Sequence, residues 1–126
     1  MEHTDKRVLV VEDDRLLRRA CETSLRRRGL TVLGAGDGEE GLRLARAEAP
    51  DLILLDVLMP KLTGLEVLQA LRGAEATRSI PVLILSNSSS PRDLEAIAAL
   101  GVAGYWVKAN LSLKELGDRV TCLLGV

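Results

Sequence analysis

Five short apolar runs are spaced along the chain, each separated from the next by a longer amphipathic stretch. The runs are nearly continuous and do not alternate strictly between apolar and polar residues, which is typical of strands covered on both faces of a parallel sheet. They occupy residues 8–11, 31–33, 52–55, 82–85 and 105–107. Strands that alternate with helices predict right-handed crossovers and a parallel sheet with helices on both sides.

Capping and breaking residues mark the ends of the amphipathic stretches. Asp14 is placed to cap the first helix, while Asp37-Gly38-Glu39-Glu40 and Thr63-Gly64-Leu65-Glu66 have the spacing of capping boxes. The other signals are Ser90-Pro91 and Ser112 at helix starts, and Gly29, Gly73 and Gly101 at helix ends. Each cap pairs backbone N–H groups that the first turn leaves unpaired, so caps and periodicity together predict five helices.

The first and last helices each have an apolar face that we expect to pack on the sheet. The helical spacing is kept by Leu16, Leu17, Ala20, Ser24 and Leu25 in the first helix, and by Leu113, Leu116, Val120 and Leu123 in the last. Cys21 and Cys122 lie in these same helices, far apart in sequence and without metal-ligand spacing. We expect two buried thiols in a reducing compartment and no disulfide.

The composition fits one domain with an aliphatic core. The chain has 126 residues, of which 47% are hydrophobic but only 2% aromatic. We expect a single domain over residues 1–126, with residues 1–6 as a loose N-terminal tail. Its 17 basic and 18 acidic residues nearly cancel, which argues against a dedicated nucleic-acid binder. Because no apolar run has membrane-spanning length and the start lacks a signal peptide's hydrophobic stretch, we expect a cytoplasmic protein without membrane contact.

Ionisable and hydroxyl side chains follow four of the five predicted strands. Glu12-Asp13-Asp14 follows the first strand, Asp56 the third, Ser86 the fourth and Lys108 the fifth. Ligands of open parallel sheets bind beyond the carboxyl ends of the strands, so we expect these groups to converge there.

The chemistry of this set is mutually consistent. Clustered carboxylates repel one another and favour a hard divalent cation, Mg²⁺ (or Mn²⁺), which would also attract an incoming phosphate. A carboxylate can then act as nucleophile and carry an acyl phosphate. Lys108 would place a positive charge on the phosphate oxygens, and Ser86 would donate from its hydroxyl. The residues at the strand ends therefore favour phosphoryl transfer.

Four segments together resemble the response-regulator receiver domains of two-component signalling, including the chemotaxis regulators. They are Val10-Val11-Glu12-Asp13, Leu55-Asp56-Val57-Leu58-Met59-Pro60 with Thr63-Gly64, Leu85-Ser86, and Gly104-Tyr105-Trp106-Val107-Lys108. The resemblance extends over essentially the whole chain. It implies an α/β, flavodoxin-like, doubly wound (βα)5 sandwich with a five-stranded parallel sheet in the order 2-1-3-4-5.

The resemblance also implies roles for residues at the strand ends. Asp56 becomes the phosphoacceptor, which takes its phosphoryl group from the phosphohistidine of a histidine kinase or histidine phosphotransfer protein. Asp13 and Asp56 become direct ligands of the Mg²⁺, Glu12 acts through water, and the backbone carbonyl of Leu58 is a further ligand. Such a protein is a signalling phosphoacceptor, catalysing only its own phosphotransfer and dephosphorylation, and is not an enzyme acting on a separate substrate.

Ser86 and Tyr105 resemble the switch pair of this family. In that interpretation the Ser86 hydroxyl meets a phosphoryl oxygen, the loop 87–90 moves with it, and Tyr105 rotates inward. The surface of the fourth helix, fifth strand and fifth helix would then change for a downstream protein target or an output domain. The chain has no room for an output domain after its last helix. We therefore expect either a stand-alone regulator or a piece of a longer protein, with no nucleic-acid contact by this domain.

Several alternatives stay open at this point. Lys108 precedes Ala109 where the family usually has a cis proline, so either a strained cis bond is retained or the loop is rearranged; we expect the lysine to keep its place. The arginines of the first helix form either a solvated face or a docking surface for an acidic partner: Arg15, Arg18, Arg19, Arg26, Arg27 and Arg28.

A receiver-like scaffold that is never phosphorylated is the alternative function, which the complete set of strand-end residues disfavours. A haloacid-dehalogenase-type hydrolase would need a second Asp where Leu58 stands.

Overall fold

In the part of the chain that the structure describes, five strands alternate with five helices, and one short 3₁₀ turn follows the last strand. The computed structural model describes residues 5–57, 59, 62–86, 91–110 and 112–126. The strands are β1 Arg7–Val11, β2 Thr31–Ala35, β3 Leu52–Asp56, β4 Val82–Ser86 and β5 Gly104–Val107. The helices are α1 Arg15–Arg26, α2 Gly38–Glu48, α3 Gly64–Gly73, α4 Pro91–Leu100 and α5 Leu113–Leu124, with the 3₁₀ turn at Lys108–Asn110.

The strands form one parallel sheet in the order β2-β1-β3-β4-β5. Every strand predicted from an apolar run is present, and the predicted doubly wound architecture is confirmed. β2 is longer than predicted because Gly34 and Ala35 continue its pairing with β1. The carbonyl of Lys6 accepts a hydrogen bond from the N–H of Thr31 at 3.0 Å, so the sheet already holds the chain at residue 6 of the predicted tail. Residues 1–4 of that tail lie outside the described residues.

Two apolar layers hold the helices against the two faces of the sheet. Alternate residues of β1 and β3 point to opposite layers, as the pleat of a strand requires. One layer contains Leu42 and Ala45 of α2, Val67, Leu68 and Leu71 of α3, and Ile97 of α4. The other layer contains Cys21 and Leu25 of α1, and Leu116 and Val120 of α5. The central strands are therefore buried on both sides, which is why their sequences are continuously apolar.

The predicted caps mostly form. The Asp14 carboxylate accepts from the N–H groups of Leu16 and Leu17 at 3.0 and 3.2 Å. Asp37 caps α2 and Ser112 caps α5 in the same way, each through one N–H group. Both hydrogen bonds of the capping box are present for Thr63 with Glu66. Ser90 lies outside the described residues, but α4 does begin at Pro91 as predicted.

Parts of the apolar faces predicted for α1 and α5 are exposed to solvent. Leu16 is 81% exposed, and Leu113 and Leu123 are 36% and 40% exposed. In α5 the buried residues are Leu116, Gly117 and Val120, whereas Leu113 is the first residue of the helix and Leu123 the last but one, so the predicted apolar stripe is buried only along its middle. Cys122 is exposed, contrary to the prediction of two buried thiols, because it is two residues, or about 200° of helix rotation, beyond Val120. None of the described helices is long and apolar enough to cross a membrane.

Candidate functional site

The carboxyl edge of the sheet brings the predicted site residues together. Asp56 and Ser86 end β3 and β4, and Lys108 is the first residue after β5. Glu12 and Asp13 directly follow the last residue of β1, the strand that pairs with β3. Parallel pairing places all of these ends on one edge, as the sequence predicted.

Three carboxylates form a compact acidic cluster at this edge. One oxygen from each of Glu12, Asp13 and Asp56 lies within 4.8 Å of the others. Glu12 and Asp56 are 0% and 1% exposed, whereas Asp13 is open to solvent. The donor set fits Mg²⁺, which prefers oxygen ligands, binds through a few carboxylates and keeps part of its water shell on an open side.

Lys108 completes the cluster with a positive charge. Its Nζ atom lies 2.5 Å from Oε1 of Glu12 and 3.0 Å from Oδ2 of Asp56. Burial alone would lower the pKa of this ammonium, but hydrogen bonds to the Glu12 and Asp56 side chains outweigh burial and raise its pKa. The Lys108–Ala109 peptide bond is trans, and a 3₁₀ turn follows the strand. The lysine therefore keeps its predicted place without a cis bond.

The pKa values of the two aspartates in the cluster are shifted in opposite directions. Burial raises the pKa of Asp56 to about 7, and the neighbouring Glu12 adds to the rise while Lys108 opposes it. For Asp13, burial works in the same upward direction, but hydrogen bonds with the side chains of Glu12 and Asp56 outweigh it and lower the pKa. The buried carboxylate is thus costly to ionise without a further cation, and the exposed one is readily ionised.

Backbone contacts fix the loops that carry these carboxylates. The N–H of Glu12 donates to the carbonyl of Ala35 at 3.0 Å, and its Oε2 accepts from the N–H of Asp14 at 3.0 Å. Behind Asp56, the N–H of Gly64 donates to the carbonyl of Val57 at 2.8 Å. A Cβ atom at Gly64 would collide with the Asp56 carbonyl oxygen, so only glycine permits this approach.

Comparison with known proteins agrees with this geometry. The family model described as the response regulator receiver domain matches residues 8–121. The chain belongs to the response regulator receiver family. It is 41% identical over 124 residues to the probable transcriptional regulator ycf27 of Cyanophora paradoxa, covering 98% of this chain and 50% of that protein. It is 42% identical over 118 residues to the transcriptional activator protein PfeR of Pseudomonas aeruginosa, covering 94% of this chain and 37% of that one. The receiver chain thus spans about half or less of these curated relatives.

A solved structure gives the same result for the fold. The chemotaxis protein CheY4 of Vibrio cholerae matches with a TM-score of 0.86 and 30% identity, covering 95% of this chain and 99% of that one. Receiver domains of this family are phosphoacceptors and not classical enzymes.

The predicted switch residues of this receiver lie on the two strands at one side of the sheet. Ser86 is completely buried at the end of β4. Tyr105 pairs with Ile84 and packs, half-buried, against the apolar layer that contains α2, α3 and α4. Leu58, whose carbonyl was predicted to bind the metal, and the predicted switch loop 87–90 lie outside the described residues. The switch therefore stays a prediction.

The six arginines predicted for the first helix divide into two groups, and Arg27 and Arg28 lie just beyond the end of α1 at Arg26. Three of them are held by contacts within the receiver: Arg18 and Arg26 with Glu22, and Arg28 with Asp118 at 2.8 Å. For the other three, all exposed, no ion pair is seen among the described residues: Arg15, Arg19 and Arg27. Sequence reasoning treated the six as one face and missed Arg18, whose guanidinium reaches the carbonyl of Glu12.

Proposed function

We propose that this receiver accepts a phosphoryl group on Asp56 from the phosphohistidine of a histidine kinase or histidine phosphotransfer protein. The observation that carries the proposal is the buried Asp56 carboxylate, grouped with two other carboxylates and with Lys108 Nζ at 3.0 Å. In the transfer, an Asp56 oxygen bonds to phosphorus as the phosphorus–nitrogen bond of the donor breaks. The donor imidazole retains the electron pair of that bond.

The groups around Asp56 have different roles in the transfer. Asp13 and Asp56 would hold Mg²⁺ (or Mn²⁺) directly, Glu12 would hold it through water, and the carbonyl of Leu58 is the further ligand we expect. The ion supplies charge neutralisation for the acidic cluster and for the incoming phosphate. Lys108, already at the carboxylate, contacts a phosphoryl oxygen with its ammonium group.

The signal then passes from the site to a protein surface. In this proposal the Ser86 hydroxyl meets the phosphoryl group and Tyr105 turns inward, which changes the surface of α4, β5 and α5. Tyr105 lies on β5 and Ser86 on the neighbouring β4, which supports the route. The partner that binds this surface is a downstream protein target or an output domain in the cytoplasm. The receiver itself does not contact nucleic acid.

Treatment with acetyl phosphate and Mg²⁺, followed by intact-mass spectrometry, tests the acceptor. We expect one phosphoryl adduct on the wild type and none on Asp56→Asn. Asp51→Asn is the matched control, because Asp51 precedes the other end of the same strand, where Oδ2 accepts from the Arg7 N–H at 2.8 Å. An adduct retained by Asp56→Asn would overturn the assignment of the residue. No adduct on the wild type, with no spectral response to beryllofluoride and Mg²⁺, would favour the unphosphorylated scaffold.

A further inference from the structure

Arg18 lies one turn into α1 with its guanidinium directed at the acidic loop. Its Nη1 donates to the carbonyl of Glu12 at 2.8 Å, and its Nε lies 3.5 Å from Oε1 of Glu22. Only 21% of the side chain is exposed, unlike the outward-facing Arg15 and Arg19. The residue therefore has a contact that a solvated helix face does not require.

That contact completes the hydrogen bonding of the Glu12 main chain. The N–H of Glu12 is held by Ala35 of β2, and its carbonyl is held by Arg18. Its carboxylate also accepts from the N–H of Asp14, the cap of α1. Both main-chain groups at the point where β1 turns toward α1 are thus tied to neighbouring elements. These ties set the direction in which Glu12 and Asp13 present their carboxylates.

We infer that Arg18 is a positioning residue for the Mg²⁺ site, because it holds the Glu12 carbonyl so that Glu12 and Asp13 stay beside Asp56. The inference rests on the proposed function, since it gives the hydrogen bond between Arg18 and Glu12 a role in metal binding. Like-charged carboxylates repel one another, so without the Arg18 hydrogen bond the loop that carries Glu12 and Asp13 relaxes away from Asp56. A cation would then have to reassemble the cluster, and its affinity falls.

Arg26, two turns further along α1, is a matched comparison. Its Nη1 lies 3.5 Å from Oε2 of the same Glu22, and its Nη2 donates to the carbonyl of Val32 at 3.1 Å. Val32 pairs with Val8 near the start of β1, at the end of the sheet away from the carboxylates. Removing either arginine thus removes one carbonyl contact and one ion pair, but only Arg18 touches the acidic loop.

The test uses ¹⁵N-labelled wild type, Arg18→Met, Arg26→Met and Arg18→Lys. Mg²⁺ alone is titrated and followed by amide chemical shifts, and amide hydrogen exchange is measured in the metal-free proteins. We expect Arg18→Met to weaken Mg²⁺ binding about 10-fold, the lower end for residues that orient metal ligands. Arg26→Met should bind as the wild type does. Arg18→Lys should recover part of the affinity, because its ammonium can still donate to the carbonyl.

Hydrogen exchange separates positioning from general loosening of the fold. In Arg18→Met the Glu12 N–H should exchange faster relative to that of Val10, and in Arg26→Met this ratio should not change. Equal affinities in the two Met variants, or an unchanged Glu12 ratio in Arg18→Met, would overturn the inference while leaving the proposed function intact. A wild type that binds no Mg²⁺ would instead overturn the proposed function, and the exchange ratio would still decide whether Arg18 positions the loop.

Discussion

Replacing Asp56 by Asn should stabilise the metal-free protein above neutral pH. The substitution keeps the size of the side chain and an oxygen that can accept from Lys108, but removes the buried negative charge. Burial and Glu12 raise the pKa of this carboxyl from 3.8 to about 7. At about 1.4 kcal/mol per pH unit, this difference corresponds to roughly 4 kcal/mol of unfavourable free energy for the ionised form.

The sign of the pH dependence follows from linkage. Because the pKa of Asp56 is raised in the folded state, its favourable contribution is complete below pH 4 and is lost as pH rises through about 7. The stability advantage of Asp56→Asn should therefore be small near pH 4, grow between pH 4 and 7, and stay constant above. We expect a plateau of about 4 kcal/mol, since the raised pKa of Asp56 already includes the opposing contact with Lys108.

Urea unfolding followed by circular dichroism, in a chelating buffer across this pH range, measures the effect. Asp51→Asn, at the opposite end of β3, should show no such pH-dependent gain. Adding Mg²⁺ should then stabilise the wild type and not Asp56→Asn, because only the wild type retains the acidic cluster. The reasoning would be refuted if Asp56→Asn were no more stable than the wild type at pH 8 without metal.

Three further predictions concern other parts of the receiver. If α1 docks an acidic partner, replacing the exposed Arg15 and Arg19 by Glu should slow phosphotransfer from the donor protein but not from acetyl phosphate. Equal rates of transfer from the donor protein to the wild type and to this variant would support a solvated face. Arg72→Met should lower the unfolding free energy by about 2–3 kcal/mol in urea titrations, because the guanidinium donates to four main-chain carbonyls around the α3–β4 and α4–β5 connections. A loss under 1 kcal/mol would contradict this role of the hydrogen bonds. In native protein a maleimide should label Cys122 and spare Cys21, whose burial raises its pKa to about 11, and mass mapping that found Cys21 labelled first would contradict the burial.

Local patterns were sufficient to predict the elements and which residues lie at the strand ends. Continuous apolar runs predicted the five strands, because the pattern depends only on a strand being covered on both faces. Caps such as Asp14 were predictable, since they bond to N–H groups two or three residues away. Once the strands are parallel, Asp56 and Lys108 must lie on the same edge, and sequence alone therefore predicted the site's members.

Only the tertiary structure decided how those members differ. Glu12 and Asp13 are adjacent, yet one is buried and the other open to solvent, because burial depends on which elements cover each side chain. Likewise Leu116 is buried and Leu113, the first residue of α5, is partly exposed, because burial depends on how much of the helix its neighbours cover. The role of Arg18 was equally hidden, since its carbonyl partner lies six residues back, across a turn whose path is set by packing. Periodicity gives the side of a helix that is apolar, whereas the contacts of a single side chain require the positions of its neighbours in space.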